Sequence, residues 1–255
     1  VSLNLDILPA ETRLILQELL KQGLPECFYL IGGTALAIQS GHRPSEDIDF
    51  ATLSETISGS AVSTVINILV ANGHSVKLAM SQSKIVQAKI NGRNLLDHVR
   101  DYVVDGKVKL TFVALTYPES FQIYLKKLIL NHSEGAAGVN FKVLSVAGIF
   151  ATKSILIEKR IKSRDLFDID FMLCTGKFNI GDLLQLTSTF GENGEDYAKA
   201  VLTGDIPLDL DDEGFFSLGI DISMKDIYTR FTLAINAYEV ELAKNISRNL
   251  KPISV

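Results

Sequence analysis

Two carboxylates separated by one apolar residue, Asp47-Ile48-Asp49, are the most chemically suggestive feature of the sequence. In a strand, the side-chain period of two puts both carboxylates on one face while Ile48 enters the core. Such a pair suits Mg²⁺, a hard cation that takes one or two protein carboxylates, keeps waters and completes its shell with substrate phosphates. Upstream, the apolar run Phe28-Tyr29-Leu30-Ile31 ends in Gly32-Gly33-Thr34. Glycines there let backbone approach a phosphate, a helix starting at that point directs unpaired N–H groups at the anion, and Thr34 offers a hydroxyl. Arg43 and Ser45, between the two features, are further candidates for phosphate or acceptor contacts. Either feature alone is more commonly a tight turn or a solvated strand edge. Together, in this order, they point to a metal-assisted nucleotide site.

A second charged set lies in Ala151-Thr-Lys153-Ser-Ile-Leu-Ile-Glu-Lys-Arg160-Ile-Lys-Ser-Arg164-Asp165-Leu-Phe-Asp168. On an unbroken helix, Arg160 and Arg164 fall within about 20° of the Lys153 direction, a basic stripe able to neutralise triphosphate or RNA phosphates. The same residues could form ion pairs on a solvated face, as Arg164 and Asp168 would at i,i+4, and Lys162-Ser163 is a point where the helix could break. Other chemistries lack their residues. His42, His74, His98 and His132 show no zinc-binding spacing and read as surface or loop positions, and neither a G-x-S-x-G elbow nor a P-loop is present.

The order of strand, Gly-Gly-Thr, helix and Asp-x-Asp strand resembles the nucleotidyltransferase superfamily of the DNA polymerase β type. Gly32-Gly33-Thr34-Ala-Leu, His42-Arg43-Pro-Ser45 and Asp47-Ile-Asp49 are similar to its AbiEii/AbiGii-type toxin branch. The Lys153 to Asp168 block is similar to that branch's A-x-K-x-x-A-x-x-x-R-x-x-x-R-D-x-x-D pattern, with Leu156 in place of an alanine. The resemblance implies Mg²⁺ at Asp47 and Asp49, and nucleotide contacts from Gly32, Gly33, Thr34, Arg43, Ser45, Lys153 and Arg164. It also implies catalytic roles for Asp47, Asp49, Lys153 and Asp165. Enzymes of this type generally carry a third carboxylate on a later strand. Asp97 is one candidate for it; if Thr111 occupies that slot the ligand is missing, and Asp165 is the alternative.

These residues need elements to position them. Helices are expected at 11–22, 34–40 and 61–71, and strands at 28–31 and 48–51. Asn91-Gly92 and Asp105-Gly106 suit type I′ turns, so 84–90, 93–104 and 107–115 read as an antiparallel meander. Thr116-x-x-Glu119 reads as a capping box opening a helix through Phe121, Leu125, Leu128 and Ile129. A short extended piece near 141–144 precedes helices at 145–159 and 164–173. Ile227, Phe231, Ile235, Tyr238 and Leu242 recur at helical spacing, one apolar stripe facing a bundle core. The acidic segment 203–221 reads as solvated surface. The expected fold class is α+β: a mixed, mostly antiparallel sheet with flanking helices over 1–145, then a helical domain over 146–255.

The whole chain bounds the function. Its 255 residues are 47% apolar and 22% charged, which supports a folded core and excludes disorder as the main state. The formal charge of −5 argues against a globally basic nucleic-acid coat and leaves room for a local basic patch. No apolar run reaches the ~18 residues of a membrane helix, no signal-peptide pattern opens the chain, and a cytoplasmic location is expected. Cys27 and Cys174 form no C-x-x-C pair and read as buried small hydrophobes. The resulting expectation is Mg²⁺-dependent transfer of NMP from NTP to an acceptor hydroxyl, on RNA such as tRNA or on protein. By resemblance it would be the toxin of a bacterial toxin–antitoxin or phage-defence pair, with a cognate antitoxin as partner. Two alternatives stand beside it: a degenerate member that binds nucleotide or a partner without transfer, and an enzyme acting on a small molecule such as an aminoglycoside.

Overall fold

A computed structural model describes residues 3–134, 139–214 and 221–249. The chain divides into two compact units, 1–149 and 150–255.

The first unit is built on a mixed sheet. Its strands are β1 (Tyr29–Ile31), β2 (Ile48–Thr52), β3 (Val76–Leu78), β4 (Val99–Val104), β5 (Val108–Ala114), β6 (Ile129–Glu134) and β7 (Val139–Leu144), in spatial order β3-β4-β5-β2-β1-β7-β6. Pairing is parallel at β1/β7 and β2/β5 and antiparallel at the remaining described junctions, as expected of an α+β nucleotidyltransferase-type sheet. The pattern of residues sets which face is covered. Val108, Leu110, Phe112 and Ala114 of β5 are buried, while Lys109, Thr111 and Val113 between them stay partly open. Ile48 and Phe50 of β2 continue the covered face, where Phe28, Phe50 and Phe112 pack with ring centroids 5.0–6.4 Å apart. Helices α1 (Ala10–Gln22), α2 (Gly32–Ser40), α3 (Gly59–Ala71), α4 (Gln82–Ile90) and α5 (Glu119–Lys126) complete the unit with the first residues of α6 (Val146–Leu156).

Several sequence expectations change here. Residues 84–90 form α4 and not a strand, because Ile85 is the one residue of that helix to be buried. Asn91-Gly92 ends this helix, whereas Asp105-Gly106, with φ of 53° and 71°, does join β4 to β5. Such dipeptides report a tolerance for positive φ, which helix ends and hairpins share. The Thr116/Glu119 capping box does not form: Pro118 is the N-cap of α5, with no side-chain cap bond. That helix stops at Lys126, and Ile129 opens β6.

The second unit is helical: the rest of α6, then α7 (Ser163–Cys174), α8 (Ile180–Phe190), α9 (Gly194–Thr203) and α10 (Met224–Asn249). Ile227, Phe231 and Ile235 are buried along the α10 stripe, but Leu242 is 45% exposed, so the packed face ends before the helix does. Cys27 in the first unit and Cys174 in the second are exposed, against expectation. Among the described residues no helix is long and apolar enough to cross a membrane.

Candidate active site

The corner where β1 turns into α2 is where chain-distant residues meet. Antiparallel pairing puts Ile31 opposite Asp49, so Gly32, the next residue, faces that carboxylate. A Cβ on Gly32 would stand 2.7 Å from Asp49 Oδ2, and the residue's φ of +74° is itself unfavourable for an L side chain. A Cβ on Gly33 would stand 2.9 Å from Arg43 Nη2 and 3.1 Å from Ser45 Oγ. The absent side chains thus make room for an acidic and a basic group on either side of one turn. Asp47 and Asp49 are both part-exposed and flank the fully buried Ile48 at the start of β2.

Thr34 departs from its expected phosphate contact. It is fully buried, its hydroxyl donates to the Asp47 carbonyl, and it lies 2.9 Å from Ser45 Oγ. It therefore ties α2 to the loop that presents the carboxylates. Arg43 and Ser45 are also buried, and the Arg43 guanidinium donates to the Pro44 carbonyl at 3.0 Å. The structure brings Gly32, Gly33, Thr34, Arg43, Ser45, Asp47 and Asp49 together in the first unit.

On the strand beside Asp49 the structure has Thr111 and not a carboxylate, one of the alternatives the sequence left open. Thr111 sits opposite Asp49 in the β2/β5 register and Asp101 sits opposite Thr111 in the β4/β5 register, so the three form a row on one face. Asp97 lies before β4 in the short 3-10 turn Leu95–Asp97, accepting from Asn94 Nδ2 at 2.8 Å. Asp101, missed from sequence, has a buried Oδ1 without a hydrogen-bond partner and its Oδ2 3.7 Å from Lys109 Nζ. Two strand spacings of about 4.8 Å separate its backbone from that of Asp49. No group of three or more His, Cys, Asp or Glu side chains among the described residues is arranged to hold a metal. Alternation along Val99-Arg-Asp-Tyr was the available signal, hidden by uncertainty over where β4 begins.

Lys153, Asp165 and Asp168 converge in the second unit. Lys153 Nζ is ion-paired with Asp165 and lies 3.0 Å from Asp168 Oδ2, and Arg160 Nε reaches Asp165 Oδ2 at 3.0 Å. All three of Lys153, Asp165 and Asp168 are at most 5% exposed. Burial pushes the Asp165 carboxyl up, but the charges of Lys153 and Arg160 outweigh it and hold the group below the ordinary carboxylate range. The expected single basic stripe is absent because α6 ends at Leu156 and α7 begins at Ser163. Arg164 turns elsewhere, donating to the Gly214 carbonyl at 3.0 Å. The acidic segment, read as solvated, clasps this break: Asp209 accepts from Ile161 N–H at 3.1 Å, Asp212 from Ser163 N–H at 3.0 Å, and Asp211 pairs with Lys162. Residues 215–220 of that segment lie outside the described residues.

The histidines are unlike one another. His74 bridges Glu18 at 2.7 Å and Asp105 at 2.6 Å, a larger role than the surface position expected of it. His42 Nδ1 meets Ser40 Oγ at 3.1 Å, His98 follows the 3-10 turn, and the His132 side chain is outside the description.

Comparison with known proteins agrees with this architecture. JHP933 from Helicobacter pylori, a solved crystal structure, is similar in fold, with a TM-score of 0.52 at 18% identity over 93% of this chain and 94% of that one. An uncharacterized protein of Aquifex aeolicus (strain VF5), aq_aa25, is 25% identical over 179 residues, 70% of this chain and 73% of that protein. The model of the nucleotidyl transferase AbiEii toxin family, of Type IV toxin–antitoxin systems, matches residues 14–237. With that match spanning most of its length, the chain belongs to the AbiEii nucleotidyltransferase toxin family.

Proposed function

We propose that this nucleotidyltransferase moves an NMP from an NTP to an acceptor hydroxyl on RNA, breaking the α–β phosphoanhydride and releasing pyrophosphate, with Mg²⁺ as cofactor, as the toxin of a toxin–antitoxin pair. The observation that carries the reading is the closeness of the Gly32 corner to Asp49. A helix N-terminus, which favours anions, and a carboxylate, which favours cations, then share one small space, the requirement of a metal-bound triphosphate. Asp47 and Asp49 would hold the ion, and two carboxylates fit Mg²⁺ because phosphate oxygens and water complete its shell. When bound, Mg²⁺ supplies Lewis-acid stabilisation of charge developing on the transferred phosphoryl group.

The chain's own residues do the rest. The Gly32-Gly33 backbone at the start of α2 receives the triphosphate, and Arg43, packed on Gly33, supplies a fixed positive charge behind the turn. Thr34 and Ser45 act as positioning residues through the Asp47 loop. Lys153 and Asp165 neutralise each other within a buried cluster, which supports a positioning role for them in joining α6 to α7.

The test incubates the protein with labelled NTPs, Mg²⁺ and total bacterial RNA beside an Asp49→Ala control. Asp49-dependent label in RNA is expected. Nucleotide binding with no label on any acceptor would favour the degenerate alternative, and label moving to an added aminoglycoside while sparing RNA would assign a small-molecule substrate.

A further inference from the structure

Against the net charge of −5, one stretch stands out: residues 56–96 contain Lys77, Lys84, Lys89 and Arg93 and no Asp or Glu. It includes α4, which borders a solvent-open groove of about 910 Å³ in the first unit from Lys84 in its first turn to the Asn91 cap. Lys84, Gln87, Ala88, Asn91, Arg93 and His98 line it, with Leu95 and Thr116. Lys84, Arg93 and His98 are exposed, and among the described residues none of the three is paired with a carboxylate. Asp97, the acid beside this wall in sequence, is engaged by Asn94 and does not line the groove.

We propose that this groove holds the phosphate backbone of single-stranded RNA, the acceptor strand of the transfer reaction; the assignment rests on the transferase reading above. Cations without internal partners keep their full attraction for an external anion, and a polyphosphate gains further by releasing condensed counterions. The lining also suits nucleotides over simple anions. Gln87 and Asn91 each offer donors and an acceptor for base edges, while Ala88 and Leu95 provide apolar surface for a base. The groove belongs to the same sheet as the carboxylates: His98 precedes β4, and Asp101, in the row of Asp49, is three residues further along. At about 3.3 Å per residue that is roughly 10 Å along β4, and two strand spacings of about 4.8 Å lead across to Asp49, so groove and carboxylates are about 14 Å apart, a span of a few nucleotides for a strand whose terminal hydroxyl lies at Asp47 and Asp49.

The test measures anisotropy of a fluorescein-labelled single-stranded RNA about 12 nucleotides long, over a range of KCl concentrations. It compares wild type with the double variant Lys84→Glu/Arg93→Glu, and with Lys84→Gln/Arg93→Gln should the charge reversal lower the melting temperature. Binding at least about 10-fold weaker at low salt is expected, with the log K against log salt slope shallower by about 1.4 for two lost phosphate contacts. Affinity for a fluorescent NTP should stay at the wild-type value. Unchanged RNA affinity and slope would overturn the assignment, as would an acidic peptide that binds as tightly and displaces the RNA. Charge-dependent RNA binding without label transfer to any acceptor would overturn the RNA-transfer reading and the acceptor role with it, leaving only a groove that binds single-stranded RNA.

Discussion

Gly32 is the residue on which the geometry of the candidate active site turns. Two costs meet at this position: a φ of +74° and a would-be Cβ 2.7 Å from Asp49 Oδ2. Gly32→Ala should lower stability by about 1–3 kcal/mol through backbone strain. It should also lower turnover by about 100-fold, because displacing a reacting group by an ångström has that effect. Gly41→Ala is the control, since Gly41 has a similar φ of +66° but nothing within 4 Å of its Cβ position. It should lose stability and keep turnover. Equal loss of turnover in both variants, measured with labelled NTP beside urea titrations, would show that the Asp49 contact is not the cause. Sequence singled out Gly32-Gly33 as room for a phosphate; what the structure shows at these glycines is room for Asp49 and Arg43, partners that the local sequence does not reveal.

Elements in both units are joined by charged side chains, and the two cases differ in burial. Lys153 of α6 sits between Asp165 and Asp168 of α7, all nearly excluded from water. Removing one partner of a buried ion pair strands the other charge, so Lys153→Met should destabilise the protein by about 3–5 kcal/mol. A urea midpoint equal to wild type would refute a structural role for the cluster. His74 instead links α1, through Glu18, to the β4/β5 turn, through Asp105. The Asp105 hydrogen bond raises the imidazole's pKa, burial opposes this, and Glu18 adds to the increase. A raised histidine pKa means this stabilisation is complete below its ordinary value of 6.5 and is lost as pH rises through the folded-state value. His74→Ala should therefore destabilise the protein more at pH 6 than at pH 9, checked by thermal melts at the two values. Sequence showed His74 as a loop residue because its partners lie 56 and 31 positions away.

For the whole molecule these two linkages act at opposite ends of the pH scale. Asp165, with its pKa lowered, contributes stability that is complete above the ordinary carboxyl value of 3.8 and is lost as pH falls through its folded-state value. Together with His74, this predicts a stability plateau between about pH 4 and 6.5, falling on both sides, in a melting-temperature profile. A maximum at alkaline pH would contradict it. What sequence determined by itself was the local chemistry: the glycine turn, the Asp47/Asp49 alternation, the apolar runs of β1, β2 and β5, and the family they belong to. Each depends on residues close along the chain, where backbone geometry and side-chain period suffice. Only tertiary structure decided that 84–90 is a helix, that Asp101 and not Asp97 joins the row of Asp49, and that Lys153 is neutralised by Asp165 and Asp168. Those outcomes depend on which residue stands opposite which across a sheet or helix pair, and such partners are chosen by packing of the whole core, which no short window of sequence contains.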